Sequence, residues 1–287
     1  GYNEQDMRNS TLIMTGFGVN WRRGTFRYSR RDHYRGAVSV MGFSHPNPDA
    51  DGYSMGIKYL KYLANHPSTA HHIAYKLCER FVSDHPEAAL VDRLAATYLA
   101  KGTAIAPVLR QLFNSDEFAG SVGEKTRRPF EDLVATLRVL DYKPDRKGRK
   151  GIQALVWISD GLGQQPLAWS PPDGYPDVAL SWQSAGGTLA RWNTHLSLAA
   201  HWWPKELRQP PARELLPKRL PKTHGALVDA LARRLVFRTL AQPHKQAVLG
   251  FLGRSASDPL DADSEAVRWR LPYLVALILD SPYHWVR

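Results

Sequence analysis

Apolar residues recur at helical spacing along most of the chain. Ile57, Leu60 and Leu63, then Ala70, Ile73, Leu77 and Phe81, then Leu90, Leu94 and Tyr98 each line one face of a predicted helix. Ile105, Leu109 and Leu112 continue the series, and after a break at Ser121 to Gly123 it resumes with Phe130, Leu133, Val134, Leu137 and Leu140. Another helix is predicted from Ile152 to Ile158, one near Gly187, and a C-terminal set at Leu227, Leu231 and Leu235, at Ala247 to Leu252, and at Leu271, Leu274 and Ile278. Short connectors between helices predict antiparallel neighbours. Asn3-Glu-Gln-Asp6 reads as a helix N-terminus, with Asn as cap and carboxylates against the helix dipole, stopping near Gly16. Asn65 reads as a cap ahead of His66-Pro67, where proline suits the first turn.

One stretch follows a different period. Thr25-Phe-Arg-Tyr-Ser29 and Ala37-Val-Ser-Val-Met41 alternate as strands do and, joined by Arg30-Arg-Asp-His-Tyr-Arg35, predict a single small hairpin. The segment 143–150, with five Lys or Arg, reads as a solvated connector, and the Pro-rich, basic segment 204–221 divides a Trp-rich region from the C-terminal helices. The expected fold is mostly α: one large multi-helix globular bundle with one β-hairpin near the N-terminus. Its subregions are 1–142, 151–203 and 222–287.

Composition narrows the class without assigning a role. The 287 residues, 43% hydrophobic with nine Trp, suffice for a substantial core. The longest apolar pattern, Leu271 to Leu279, is too short for a membrane span. A formal charge of +11 attracts nucleic acid, anionic glycans or anionic lipid without selecting among them. Cys78 is the only cysteine, on the apolar side of its helical pattern, which excludes an intrachain disulfide and a Cys-based metal site. Gly1-Tyr-Asn-Glu-Gln-Asp6 lacks the basic and apolar parts of a signal peptide, and a start at Gly suggests a processed or excised piece.

The candidate chemistry centres on Leu167-Ala-Trp-Ser-Pro-Pro-Asp-Gly-Tyr-Pro-Asp177. Three prolines stiffen this loop and Gly174 can adopt positive φ, so Asp173 and Asp177 can be held in fixed directions. Two preset carboxylates suit acid–base catalysis or a hard cation. The same formula also makes a structural turn in which Trp169, Tyr175 and Trp182 pack the loop onto helices. Arg191 and Asn193 follow on the next helix, where Arg191 could clamp a loop carboxylate or a bound anion, and with Trp169, Tyr175 and Trp182 they are the expected ligand-binding residues. His195, His201, Trp202 and Trp203 extend that helix, and His201 and Trp202 fit a sugar-stacking surface as well as core packing.

Arg22, Arg23, Arg27, Arg30, Arg31 and Arg35 alternate with Trp21, Phe26, Tyr28 and Tyr34, a pattern suited to an anionic polymer or to an ordinary solvated hairpin. His66, His71 and His72 do not make a ligand set, because the adjacent pair points to different helix faces. No nucleotide, zinc-protease or serine-hydrolase motif is present and no specific DNA- or RNA-reading signature, so no metal, cofactor or specific nucleic-acid partner is expected.

Several segments, in order, resemble the bacterial family catalogued as a domain of unknown function, DUF1800. They are Tyr2-Asn-Glu-Gln-Asp6 with Leu12-Ile-Met-Thr-Gly16; His66-Pro-Ser-Thr-Ala70 with Lys76 to Asp84; Leu109 with Ser115-Asp-Glu-Phe118; Arg128-Pro-Phe-Glu131; Pro171 to Asp177; Arg191-Trp-Asn193; and Ser281-Pro-Tyr283. The resemblance implies that the chain is the C-terminal larger part of a domain with a helical portion upstream, that this portion could itself be a partner, and that the protein is periplasmic or secreted. It supplies no agreed catalytic residues. The family's His-Asp-x-Gly stands here as His33-Tyr-Arg-Gly36, which puts any role for that Asp in doubt.

From these features the expected function is a noncatalytic binding or scaffold protein of the bacterial envelope or exterior, contacting an anionic or carbohydrate partner. The alternatives are a hydrolase of an envelope polymer using Asp173 or Asp177, and a nonspecific nucleic-acid binder acting through Arg27, Arg30, Arg31 and Arg35.

Overall fold

The computed structural model describes residues 1–144 and 149–287, so half of the basic connector 143–150 lies outside the described residues. The chain divides into two compact units, Gly1–Cys78 with Pro86–Ala119, and Glu79–His85 with Gly120–Arg287. As expected, helices dominate, and the only sheets among the described residues are two-stranded. No described helix is long and apolar enough to cross a membrane.

The first unit opens with α1 (Glu4–Ile13), whose Asn3 and Asp6 side chains each bond the other's backbone N–H in a capping box. The strand-like segments belong to two hairpins rather than one. β2 (Thr25–Tyr28) pairs back with β1 (Phe17–Asn20), and β3 (Val38–Val40) pairs forward with β4 (Phe43–His45). The reason is local turn chemistry. Gly24 at φ +62° closes the first turn, and Met41 and Gly42, both at positive φ, form the two-residue turn of the second. Each strand therefore finds a partner across a short turn, at a closure entropy cost lower by about 1 kcal/mol than pairing across residues 29–37.

The apolar side of α1 packs on β3 and on α2 (Tyr53–Ala64), burying Ile13, Val38, Val40, Met55 and Tyr59 together. Asn65 closes α2 as its C-cap, donating to the Lys61 carbonyl. The remaining helices are α3 (Pro67–Phe81), α4 (Ala88–Ala100), α5 (Ile105–Phe113) and the single turn α6 (Asp116–Ala119). Ala70, Ala74 and Cys78, spaced four apart on α3, are fully buried. Burial pushes the Cys78 thiol up to about 11, which makes it a packing residue and not a nucleophile.

The irregular segment after β2 is pinned by His33. Its ring is buried, with Nδ1 3.0 Å from the Thr15 carbonyl and Nε2 3.0 Å from Asn47 Oδ1, while Asn47 Nδ2 donates to the Tyr34 carbonyl.

In the second unit, α7 (Pro129–Val139), α8 (Lys150–Gly161), α9 (Ala185–Ala199), α10 (His224–Val236), α11 (Gln242–Leu252), α12 (Leu271–Leu279) and the short α13 (Pro282–Trp285) surround one core. α12, Leu-Pro-Tyr-Leu-Val-Ala-Leu-Ile-Leu, is apolar nearly all round and takes the central position, in contact with α9, α10, α11 and α13. α9 ends at Ala199, and His201 sits beyond it at φ +51° instead of extending the helix.

Gly52 generates a test. A Cβ there would lie 2.0 Å from His33 Nε2, so the ring must leave its site and two buried hydrogen bonds go with it. Gly52→Ala is expected to lower stability by about 1–3 kcal/mol, read as a shift of the urea midpoint at unchanged slope.

Candidate functional site

The proline-stiffened loop folds on itself. Trp169 Nε1 donates to Asp173 Oδ1 at 3.0 Å, the Tyr175 hydroxyl to the Gln165 carbonyl at 2.9 Å, and Trp182 Nε1 to the Pro176 carbonyl at 3.0 Å. The Tyr175 ring lies 5.0 Å from that of Trp169 and 5.8 Å from that of Trp182. Gly174 adopts φ +76° at the bend. The polar atoms of all three aromatic side chains are thus used within the loop.

Asp177 is held from several sides. Arg80, Arg128 and Arg287 approach its carboxylate at 3.4, 3.6 and 3.8 Å, and the same three arginines contact Glu131. Lys125, almost wholly buried, ion-pairs with Asp84 and donates to the Asp177 carbonyl at 2.6 Å. Asp84 in turn accepts from the Ala179 backbone at 2.7 Å. Burial opposes the charge on Glu131, but Arg287 and Arg80 outweigh it and hold its carboxyl below the usual range.

Asp173 and Asp177 therefore stand in different surroundings, and Arg191 is bonded to neither. Arg191 is buried, donates to the Arg127 carbonyl at 3.0 Å, and lays its guanidinium over the Trp285 ring at 4.8 Å. Asn193 is exposed and lines a separate small pocket with Trp203. Of the basic hairpin residues, Arg27 pairs with Asp32 and Arg30 with Asp51, while Arg31 and Arg35 are exposed.

Next to Arg191 lies a set of residues that sequence reasoning did not bring together. His195, one turn after Arg191 on α9, has Nε2 2.9 Å from Asp132 Oδ2 on α7 and Nδ1 2.8 Å from Asp280 Oδ1 at the C-cap of α12. His284, on α13, has Nε2 3.0 Å from Thr136 Oγ1 and 3.5 Å from Asp132 Oδ1. Its Nδ1 lies 3.3 Å from Arg127 Nη1, a group that only donates, so Nδ1 accepts and the ring proton sits on Nε2. Asp132, His195 and His284 are all buried, whereas the Asp280 side chain retains one-fifth exposure.

That exposed part of Asp280 lines a groove of about 450 Å³ with Thr126, Gln183, Thr188, Trp192 and Trp285. The α9 spacing explains the arrangement: Arg191 and His195 share the buried face, and Trp192, one residue round, turns out to the groove. The groove thus presents two indoles, one carboxylate, one amide and two hydroxyls.

The family model described as "Protein of unknown function (DUF1800)" matches residues 1–286. The chain belongs to the DUF1800 family. No curated protein and no solved structure matches it. In this DUF1800 member, segments that carried the resemblance converge within the second unit. Arg80 and Asp84, Arg128 and Glu131, and Asp177 meet in the ionic cluster, while Arg191 and Ser281-Pro-Tyr283 flank the buried histidines.

Asp132, His195 and His284 offer three ligand atoms within 4.8 Å of one another, a group that could hold a metal ion. Their surroundings suit protons better. Both His195 nitrogens face carboxylates at hydrogen-bond distance, so the ring carries two protons, and the guanidinium groups of Arg127 and Arg191 already supply positive charge there. Burial disfavours a charged His195, but the hydrogen bonds to Asp132 and Asp280 prevail and raise its pKa to about 9. For His284, burial dominates and the neighbouring cations add to it, lowering the ring to about 3. Burial also raises Asp280, against its bond to His195, whereas Asp132 is held low because His195 outweighs its burial.

These shifts set a pH profile of stability. His195, raised above the usual 6.5, gives stability that is complete below that value and lost as pH rises through about 9. His284 is depressed, so the unfolded chain takes up a proton that the folded one refuses, and stability falls as pH drops from 6.5 toward about 3. Asp132 adds to this acid limb and Asp280 partly opposes it. The unfolding free energy is expected to peak near neutrality, with the histidines contributing on the order of 3–5 kcal/mol across their limbs. Denaturant titrations over pH are expected to show the alkaline fall flattened in His195→Gln and the acid fall flattened in His284→Gln.

Proposed function

We propose that this protein is a noncatalytic carbohydrate-binding protein of the bacterial envelope or exterior, and that the Asp280 groove is its binding site. The observation that carries this reading is the joint placement of Trp192 and Trp285 with Asp280, Gln183 and Thr188 along one groove. Indoles offer apolar faces to the C–H surface of a sugar ring, while carboxylate, amide and hydroxyl groups pair with its hydroxyls. Arg191 occupies one face of the Trp285 ring and fixes its orientation before any ligand arrives, which lowers the entropy cost of binding.

The groove's one ionisable lining residue, Asp280, is already paired with the protonated His195, so its hydrogen-bonding groups suit neutral and amino sugars. Hydrolysis of a glycosidic bond generally uses a pair of carboxylates flanking the bond, and Asp280 is the one carboxylate among these lining residues. The extracytoplasmic location implied by the family resemblance brings envelope polysaccharides within reach. The hydrolase reading draws no support from this geometry, because Asp177 is committed to three arginines and Asp173 to the Trp169 indole.

Calorimetric titration with neutral and amino-sugar oligosaccharides is expected to give saturable binding that weakens about tenfold or more in Trp192→Ala, as expected for truncation of a buried aromatic anchor. Absence of saturable binding to every oligosaccharide, or equal affinity in Trp192→Ala, would remove the reading.

A further inference from the structure

The tip of the first hairpin is built as a projecting point. Trp21, Arg22, Arg23 and Gly24 form the turn between β1 and β2, and the Trp21 side chain is 91% exposed. Arg22 and Arg23 are exposed beside it and make no ion pair among the described residues. On the strands below, the cross-strand neighbours Val19 and Phe26 are 49% and 59% exposed, a second apolar step behind the first.

The point is rigid. Asn20 holds the turn through its side chain, which accepts from Arg22 and Arg23 N–H at 3.2 and 3.3 Å, and through its carbonyl, which accepts from Gly24 at 2.8 Å. The base of the hairpin is fixed to α2: the Phe17 ring stacks on Tyr53 at 5.7 Å and lies against Gly56, where a Cβ would come within 2.6 Å of it. Tyr28 closes the cluster edge-on to Phe17 at 5.2 Å. The molecule thus holds a large apolar ring out in water on a stiff support, at a position where core packing has no use for it.

We propose that this hairpin tip docks on an anionic phospholipid bilayer, with Trp21 entering the headgroup layer and Arg22 and Arg23 pairing with lipid phosphates. Charge complementarity and side-chain type argue for this occupant. Indole partitions to the headgroup level of bilayers, and each cationic side chain near an anionic surface adds attraction. A single-stranded nucleic acid would instead need ring faces laid open along a cationic groove. Here Phe17 and Tyr28 are packed against Tyr53, Phe26 is tilted against the same ring while staying 59% exposed, and Trp21 stands at the point of the turn. The inference is independent of the groove reading, since the hairpin and the groove belong to different compact units.

The test is cosedimentation of the purified chain with vesicles of phosphatidylcholine alone or with about 30% phosphatidylglycerol. Binding is expected only to the anionic vesicles, falling about tenfold in Trp21→Ala and in the double variant Arg22→Gln/Arg23→Gln. The control Lys218→Gln/Arg219→Gln removes the same charge from exposed residues elsewhere and is expected to bind as the unmodified chain does. Equal loss in that control would reduce the attraction to net charge and overturn the proposal. So would unchanged binding in Trp21→Ala, no binding to either vesicle, or binding to single-stranded DNA alone that the tip variants abolish. Circular dichroism of each variant establishes that the fold is intact.

Discussion

A doubly protonated imidazole held between two carboxylates inside the helical core is the constraint on which the second unit depends. His195 joins α9 to α7 through Asp132 and to the end of α12 through Asp280. Burying these charges is expensive, and only their mutual contacts offset the lost hydration, so removing one member strands the others. Directional bonds also fix how α9 is rotated about its own axis, which greasy packing alone leaves loose. With His195 inward, Arg191 is carried over Trp285 and Trp192 is carried outward, so one buried ion cluster dictates the walls of the groove.

Helices were legible in the sequence where their signals are local. The Asn3 and Asp6 capping box, proline at the start of α3 and the continuous apolar stretch of α12 all act within a few residues, and the structure has each of them. Two hairpins in place of one show the limit of that reading. Alternation marks β2 and β3 as strands but does not say which partner each takes, and the turns at Gly24 and at Met41-Gly42 decided the pairing.

The site was harder to read because its contacts are long-range. Asp132 and His195 lie 63 residues apart, and His195 and Asp280 lie 85 apart, and nothing within a helix says which other helix it faces. A faint signal existed. Asp132 and Thr136 are polar residues one turn apart on the apolar side of α7, and His195 follows Arg191 at the same spacing, so both helices carry polar pairs where burial is expected. The 167–177 loop attracted attention for its carboxylates, yet its three prolines and Gly174 chiefly serve to bring Asp177 to the arginines.

Glu131 and Asp132 are consecutive residues on α7 that serve different neighbourhoods, one facing three arginines near the surface and the other a buried histidine. Successive helical residues diverge by about 100°, so a single inserted or deleted residue in the first turn of α7 rotates both carboxylates away from their partners at once. Point substitutions can drift independently at the two positions, but length changes there cannot. Across evolutionary divergence, this turn should therefore hold its length while the irregular segments around it are free to grow or shrink.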